Sequence, residues 1–177
     1  LSALPTDHPL HMGMLGMHGN YAPNVMTNEC DVLIAVGMRF DDRVTGRLDK
    51  YAKQAKVIHL DIDPAEIDKN VKADAPIVGD AKATLRALLP LIEQKDRSEW
   101  RKEFEKYDQE EYEKINKKEL FHEGNQIKMG EAVHMLSNKT KGEAVVVTDV
   151  GQHQMWAAQY YGFDEPRRWI NSGGLGT

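Results

Sequence analysis

Three short apolar runs, separated by helical patterns, constrain the fold of this chain more than any other feature. They cover residues 32–36, 57–61 and 76–78, and each ends at or just before a glycine or an aspartate. The first run is wholly apolar, which is typical of a buried strand in a parallel sheet. Strands that alternate with helices indicate βαβ units. The sequence therefore predicts an α/β fold with a parallel, doubly wound, Rossmann-like sheet.

Helix signals flank these runs. Asn20 is a possible N-cap for a helix over 21–29, and Asp63 is the expected N-cap of a short helix from Pro64 to about Lys69. Asp80 is the expected N-cap of a further helix, whose apolar positions include Leu85, Leu88, Leu89 and Ile92. No run is followed by Gly-x-Gly-x-x-Gly, so the standard dinucleotide fingerprint is absent.

The second half of the chain begins with a charged segment. Residues 96–125 are rich in Glu, Lys and Asp, with Trp100, Phe104, Tyr107, Tyr112 and Ile115 at roughly helical spacing. This pattern predicts a solvated linker helix with one packed stripe. A helical pattern at 129–136 and an apolar run at 144–148 follow, so a second α/β unit begins near residue 126. The expected domains are residues 1–95, 96–125 and 126–177.

Charge and composition exclude several classes of function. The chain has 23 Lys+Arg against 28 Asp+Glu, a net charge of −5, and this argues against a nucleic-acid partner. No apolar run approaches the roughly 18 residues of a membrane span, and the first residues are not expected to form a signal peptide. The single Cys30 cannot form an internal disulfide, which favours a reducing compartment.

Polar side chains follow all three predicted strands of the first sheet, in loops at 37–43, 61–63 and 79–81. Ligands of parallel sheets bind beyond the carboxyl ends of the strands. Arg39 and Arg43 are suited to phosphates, Gly37 to close backbone approach, and Asp61 to a ribose or an adenine. Each residue also has a structural alternative: Asp80 can be only a helix cap, and Arg43 can simply pair with a neighbouring aspartate. Together the three loops indicate a nucleotide site.

A second candidate site follows the run at 144–148. Gly151 is expected to open a strand-to-helix turn, with Gln152, His153 and Gln154 at the start of a helix. Backbone N–H groups at a helix start can hold an anionic group. Gln152 and His153 are therefore interpreted as ligand-binding residues, whereas Trp156 is interpreted as a core residue.

Metal and nucleophile sites are not predicted. His8, His11 and His18 match no standard zinc spacing. Gly79-Asp80-Ala81 differs from the Gly-Asp-Gly motif that holds magnesium in diphosphate enzymes, and no suitable Asn follows it. No Ser-His-Asp arrangement can be argued from spacing.

Three longer strings and the end of the chain carry a family resemblance. They are Met14-Leu15-Gly16-Met17-His18-Gly19, the segment from Val36 to Gly46 with Arg-Phe-Asp-Asp-Arg, the segment Gly151-Gln152-His153-Gln154-Met155-Trp156-Ala157-Ala158-Gln159, and Ser172-Gly173-Gly174-Leu175-Gly176-Thr177. The chain closely resembles the catalytic large subunits of the acetolactate synthase (acetohydroxyacid synthase) family over essentially all of its residues. The resemblance implies the later, incomplete part of a central FAD-binding domain, followed by the start of a thiamine diphosphate-binding domain.

The resemblance also assigns cofactor-binding positions. Those implied for FAD are Leu15, Gly16, Met17, His18, Gly37, Met38, Arg39, Asp41, Arg43, Val44, Asp61, Ile62, Gly79, Asp80, Ala81, Gln154, Met155, Gly173 and Gly174. Those implied for thiamine diphosphate are Val150, Gly151, Gln152, His153 and Gly176. Magnesium is implied as a third cofactor, with its ligands outside this chain. The family's catalytic Glu is also implied to lie outside this chain, so no catalytic residue is assigned here.

The family's reaction joins two 2-ketoacids with loss of carbon dioxide, in the biosynthesis of branched-chain amino acids. The resemblance implies pyruvate and 2-ketobutyrate as substrates, a homodimer or tetramer, a regulatory small subunit, and FAD in a structural role. It implies a cytoplasmic location in a bacterium and a plastid or mitochondrial one in a eukaryote. Because the motifs named above are missing, these residues alone are expected to be inactive.

Two other interpretations remain open. The first is a related thiamine enzyme, such as a catabolic acetolactate synthase or a pyruvate oxidase; the Arg-Phe-Asp-Asp-Arg string argues against it. The second is a non-catalytic nucleotide-binding module with a topology like that of electron-transfer flavoproteins; the turn at 151–154 argues against it.

Overall fold

A computed structural model describes residues 3–121 and 123–172, and the chain divides into two compact units. One, the three-stranded unit, is formed by Asn24–Lys102. The other, the two-stranded unit, is formed by Leu1–Pro23 together with Glu103–Thr177. Among the described residues, no helix combines the length and the apolar character that crossing a membrane requires.

The three-stranded unit is built on a parallel sheet of β1 (Val32–Val36), β2 (Lys56–Asp61) and β3 (Ala75–Val78) in the order β1-β2-β3. Both pairings are parallel: Ala35 lies opposite His59, and Leu60 lies opposite Ile77. The three strands fall within one residue of the predicted runs. The predicted parallel α/β sheet is therefore confirmed.

The first strand differs from its prediction in burial. Ala35 is 3% exposed, but Val32, Ile34 and Val36 are 44%, 52% and 41% exposed. Successive side chains of a strand point to opposite faces. The core of this unit, with Phe40, Tyr51, Ala52 and Val57 around Ala35, covers only one of those faces. The prediction that β1 is a wholly buried strand is therefore wrong within the described residues.

Helices α1 (Tyr21–Thr27), α2 (Asp42–Thr45) and α3 (Ala81–Leu88) precede or follow these strands. The cap of α3 is as predicted, because the Asp80 carboxylate accepts the Ala83 N–H at 2.8 Å. The helix ends at Leu88, and a single tighter turn, Leu89–Leu91, follows it. Pro90 has no N–H to continue an α-helix, so Ile92 lies beyond the helix in which it was predicted.

The short helix predicted from Pro64 to Lys69 is wrong. The structure has turns at residues 64–68 instead. Asp63 Oδ1 accepts the N–H of Ala65, two residues later, as a helix cap does, but no helix follows the cap. Asp68 then adopts a left-handed φ of 60°, which ends any helical path, and its carboxylate accepts the Ala73 N–H.

The charged segment is helical, as its pattern predicts. It comprises α4 (Ser98–Glu111), one wider π-helical turn (Tyr112–Asn116) and α5 (Lys117–Leu120). The aromatic stripe is packed only in part. Tyr107 meets the Tyr21 ring edge-on at 5.6 Å, whereas Trp100 and Ile115 are 38% and 54% exposed.

The two-stranded unit contains α6 (Met129–Thr140), β4 (Val146–Thr148), α7 (Gln152–Tyr160) and β5 (Trp169–Asn171). Strands β4 and β5 are parallel, with Val147 opposite Ile170. This order confirms a second α/β unit, although β4 begins two residues later than the predicted run. Phe163 is fully buried beside Trp169, and its N–H and carbonyl both bond to Thr6 at 2.8 Å.

Candidate functional site

The carboxyl ends of β1, β2 and β3 form one continuous edge. The Gly37 N–H donates to the Leu60 carbonyl at 2.9 Å, and the Gly79 N–H donates to the Asp61 carbonyl at 2.9 Å. These two bonds extend the sheet by one residue beyond β1 and β3. The structure therefore brings together the three loops that the sequence singled out, as the parallel order requires.

The backbone at Gly37 is open to a ligand. Its φ of 63° lies in the left-handed region that glycine adopts without strain. A Cβ placed on Gly37 would meet no described atom within 4 Å. The space beside this strand end is therefore available for a group that approaches the backbone closely.

The loop after Gly37 carries the two arginines of the prediction. Arg39 Nε lies 3.3 Å from an oxygen of Asp41, and both side chains remain partly exposed. The other carboxylate oxygen of Asp41 accepts the backbone N–H of Arg43 at 3.0 Å and caps α2. Among the described residues the Arg43 guanidinium makes no ion pair, so the alternative that it merely neutralises a neighbouring aspartate is not observed. Val44 lies half-buried in α2.

Phe40 anchors this loop in the core. Its φ of 50° is left-handed, which costs a residue with a Cβ about 1–2 kcal/mol. Its ring is 2% exposed and meets the His59 ring edge-on at 5.0 Å and the Tyr51 ring at 6.2 Å. Burial raises the pKa of Tyr51 to about 12, so its phenol stays neutral at physiological pH. The packing of Phe40 offsets the backbone strain.

Two residues that the sequence analysis missed hold the same loop. His59 Nε2 lies 2.8 Å from the Met38 carbonyl, and the His59 side chain is fully buried. The Asn70 amide donates to the carbonyls of Arg39 and Phe40 at 3.1 and 3.2 Å. The only signal for His59 was a histidine inside an apolar strand, and Asn70 lies in a turn with no pattern of its own.

The ends of β2 and β3 complete the edge. Asp61 Oδ1 accepts the Asp63 N–H at 2.9 Å, which leaves its second carboxylate oxygen for a ligand. Ile62 is 72% exposed beside it. Asp80 caps α3, which is the structural role that the sequence offered as the alternative to ligand binding. Gly79 and Ala81 lie on either side of it.

The turn between β4 and α7 has the predicted form. Gly151 precedes α7 with φ 152° and ψ −174°, a conformation that is essentially restricted to glycine. Among the described residues no side chain caps α7; the Gln154 N–H donates to the Gly151 carbonyl at 3.1 Å, and the Gln152 and His153 N–H groups come before it. Gln152 and His153 are exposed, whereas Gln154 is 4% exposed and Met155 is half-buried. Val150 is 54% exposed just before the turn.

The segment with Leu15, Gly16, Met17 and His18 is a tight turn in the same unit. The Gly19 N–H donates to the Gly16 carbonyl, and the Asn20 N–H donates to the Met14 carbonyl, both at 2.9 Å. A Cβ on Gly19 would lie 2.0 Å from the Met14 carbonyl oxygen, so only glycine fits there. Gly173, Gly174 and Gly176 lie outside the described residues.

Comparison with known proteins identifies the class of protein. The family model "Thiamine pyrophosphate enzyme, central domain" matches residues 1–88. The model "Thiamine pyrophosphate enzyme, C-terminal TPP binding domain" matches residues 149–177. The first match contains the sheet edge of the three-stranded unit, and the second contains the turn at Gly151. The chain belongs to the thiamine pyrophosphate enzyme family.

Within this family, the chain is similar to acetolactate synthases along its length. It is 48% identical to the acetolactate synthase isozyme 3 large subunit of Escherichia coli K12, with 100% of the chain and 31% of that protein covered. It is 44% identical to acetolactate synthase 1, chloroplastic, of Oryza sativa subsp. japonica, with 100% and 28% covered. It is 46% identical to the probable acetolactate synthase large subunit of Methanocaldococcus jannaschii, with 98% and 30% covered. The chain spans about a third of the length of these curated relatives. These matches confirm the resemblance that the motifs carry.

Proposed function

We propose that this chain is part of an acetolactate synthase large subunit, which condenses two 2-ketoacids with loss of carbon dioxide. The observation that carries the proposal is the identity of 44–48% to acetolactate synthases of a bacterium, a plant and an archaeon over 98–100% of the chain. The proposed substrates are pyruvate and 2-ketobutyrate. The proposal extends to a homodimer or tetramer with a regulatory small subunit, in the cytoplasm of a bacterium or in a eukaryotic plastid or mitochondrion.

The turn at Gly151 fits the diphosphate of thiamine diphosphate. The N–H groups of Gln152 and His153 at the start of α7 are donors for an anion, and no side chain of the described residues competes for them. Gln152 and His153 are exposed at the same end of the helix and can donate further hydrogen bonds. Thiamine diphosphate supplies the means to stabilise the carbanion that decarboxylation of a 2-ketoacid leaves. Magnesium bound with the diphosphate is part of the proposal.

The sheet edge of the three-stranded unit fits FAD. The donor set suits a dinucleotide, because Arg39 and Arg43 can bind phosphate oxygens and the open carboxylate oxygen of Asp61 can accept a ribose hydroxyl. The uncovered backbone at Gly37 lets the dinucleotide lie close to the strand end. The role that we assign to FAD is structural.

Within the proposed mechanism, the residues of this chain bind and orient. The first N–H groups of α7 and the side chains of Gln152 and His153 would hold the diphosphate end of thiamine diphosphate and so orient the cofactor. Gln154 is 4% exposed, and its backbone N–H donates to the Gly151 carbonyl at the start of α7. Arg39, Arg43 and Asp61 would hold FAD at the sheet edge without transferring a proton.

Assays of the full-length protein test this proposal. Acetolactate should form from pyruvate when thiamine diphosphate, Mg²⁺ and FAD are present. Arg39→Ala should weaken FAD binding by about 10- to 100-fold, because one charge-assisted hydrogen bond contributes roughly 1.5–3 kcal/mol. Arg47→Ala is the matched control, since Arg47 is an exposed arginine that pairs with Asp49 in the same unit.

Two results would contradict the proposal in different ways. Oxidation of pyruvate with reduction of an electron acceptor, without acetolactate, would indicate an oxidase-like member of the family. Equal FAD affinity of wild type, Arg39→Ala and Arg47→Ala would show that Arg39 at the sheet edge does not bind the flavin. That result would leave the proposed synthase activity untouched.

A further inference from the structure

The segment Met38–Phe40, at the carboxyl end of β1, is held by side chains from two distant parts of the three-stranded unit. All three of its backbone carbonyls accept a hydrogen bond from a side chain: Met38 from His59, and Arg39 and Phe40 from Asn70. His59 belongs to β2, and Asn70 belongs to the turn before β3. Regular strands and helices satisfy their carbonyls through the backbone, so this segment depends on two side chains for its conformation.

The tautomer of His59 follows from its partner. A carbonyl can only accept a hydrogen bond, so Nε2 must carry the proton that it donates to Met38. The other ring nitrogen, Nδ1, is buried and has no hydrogen-bond partner among the described residues. A buried nitrogen without a partner is unfavourable, and an apolar side chain would avoid that cost. Histidine at this position is therefore explained by the one bond that it makes to the loop.

Asn70 acts on the other two carbonyls. Both of its partners are acceptors, which places the NH₂ group of the amide, rather than its oxygen, against the loop. Asn70 itself is exposed, so its side chain buries little surface. Its two hydrogen bonds therefore chiefly fix the direction of the Arg39 and Phe40 carbonyls. Because Phe40 has a left-handed φ, these bonds oppose relaxation of the loop toward an ordinary conformation.

We infer that His59 and Asn70 are positioning residues for the proposed FAD site: they fix the Met38–Phe40 backbone so that the Arg39 guanidinium faces the cofactor. This inference rests on the proposed function, in which Arg39 binds FAD. Neither residue touches the cofactor; each acts through the backbone on either side of Arg39. Loss of either one should weaken FAD binding even though the side chains that bind FAD are unchanged.

The test uses the full-length protein stripped of flavin, and compares wild type with His59→Leu, His59→Gln and Asn70→Asp. Hydrogen exchange of the Gly37, Val44 and Thr45 amides reports on the loop, because these amides are bonded to the carbonyls of Leu60 and Asp41 on either side of it. Exchange of the Asp74 amide, which is bonded to Val57, serves as the reference for the rest of the sheet.

His59→Leu and Asn70→Asp should raise loop exchange at least 10-fold relative to the Asp74 amide and weaken FAD binding by about 5- to 10-fold. His59→Gln should stay within about 2-fold of wild type in both measurements, because the glutamine amide can replace the Nε2–H donor. Leu60→Ala is the matched control, and it is compared at the Val44 and Thr45 amides because the Leu60 carbonyl itself accepts the Gly37 N–H. Leu60 is 3% exposed and lies on the face of β2 opposite His59, so this variant should destabilise the sheet without selectively accelerating exchange of those two amides.

The outcomes separate this inference from the proposed function. Unchanged loop exchange in His59→Leu and Asn70→Asp would overturn the inference, and so would faster exchange with wild-type FAD affinity. Equal effects of His59→Gln and His59→Leu would also overturn it, because they would show a packing role. If wild type itself binds no FAD, the proposed FAD site fails, whereas acetolactate formation still tests the proposed synthase; selective loop exchange in the variants would then support only the positioning of the backbone by His59 and Asn70.

Discussion

The loop after β1 and the turn after β4 both follow a parallel strand, but they are held in different ways. In the three-stranded unit, buried and distant side chains fix the loop, and the side chains suited to a ligand are separate from them. In the two-stranded unit, Gly151 supplies the backbone conformation itself, and no side chain of the described residues caps α7. The first arrangement separates support from binding. In the second, one glycine gives both the shape of the turn and access to the helix start.

The largest effect should follow from Gly151→Ala. The φ and ψ of Gly151 lie in a region essentially closed to other residues, and a Cβ would lie 3.0 Å from His153 Nδ1. The strain should cost about 1–3 kcal/mol and displace the start of α7. The affinity of the full-length protein for thiamine diphosphate should fall at least 10-fold in a fluorescence titration.

Gly37→Ala is the comparison for that variant. Gly37 also has a positive φ, but open space surrounds the position of its Cβ, so the expected cost is smaller, about 1 kcal/mol. Its effect should appear in FAD binding and leave thiamine diphosphate binding unchanged. Equal losses of thiamine diphosphate affinity in the two variants would break the distinction between the loop and the turn.

A smaller effect is expected at the cap of α3. Asp80→Ala removes the acceptor for the Ala83 N–H and should cost about 1 kcal/mol, the usual value for an N-cap. Asp80→Asn keeps an acceptor oxygen and should cost much less. Urea denaturation followed by circular dichroism measures both free energies. A loss in Asp80→Asn as large as that in Asp80→Ala would show that charge, rather than capping, matters at this position.

Local signals predicted the three parallel strands, the Asp80 cap and the Gly151 turn because each depends on neighbours in the sequence. The support of the β1 loop could not be predicted in this way. His59 and Met38 are 21 positions apart, and Asn70 and Arg39 are 31 apart, so only the folded sheet brings them together. The exposed face of β1 was missed for a related reason: an apolar run indicates a strand, but tertiary packing decides how many of its faces are covered.

The helix expected at 64–69 shows the same limit at short range. Asp63 and Pro64 are suitable for a helix start, and Asp63 accepts the second following N–H as a helix cap does, yet only turns follow it. The positive φ of Asp68 and its bond to Ala73 then direct the chain toward β3. A helix of this length gains little from its own hydrogen bonds, so the connection to the next strand decided the conformation.

The smallest effect concerns pH and the opposite, amino end of the sheet. The Val57 N–H, and next the Lys56 ammonium, lower the pKa of the Asp74 carboxyl in the folded protein. A lowered pKa stabilises the fold above the unfolded value of about 3.9, and this stabilisation is lost as the pH falls below it. The melting temperature of Asp74→Asn should therefore lie below that of wild type at pH 6, and the gap should close toward pH 3. Lys56→Met keeps the bond from the Val57 N–H to Asp74 and removes only the Lys56 contribution. Its melting temperature at pH 6 should therefore fall less than that of Asp74→Asn. If the difference in melting temperature between wild type and Asp74→Asn did not change with pH, the charge of the carboxylate would not contribute to stability.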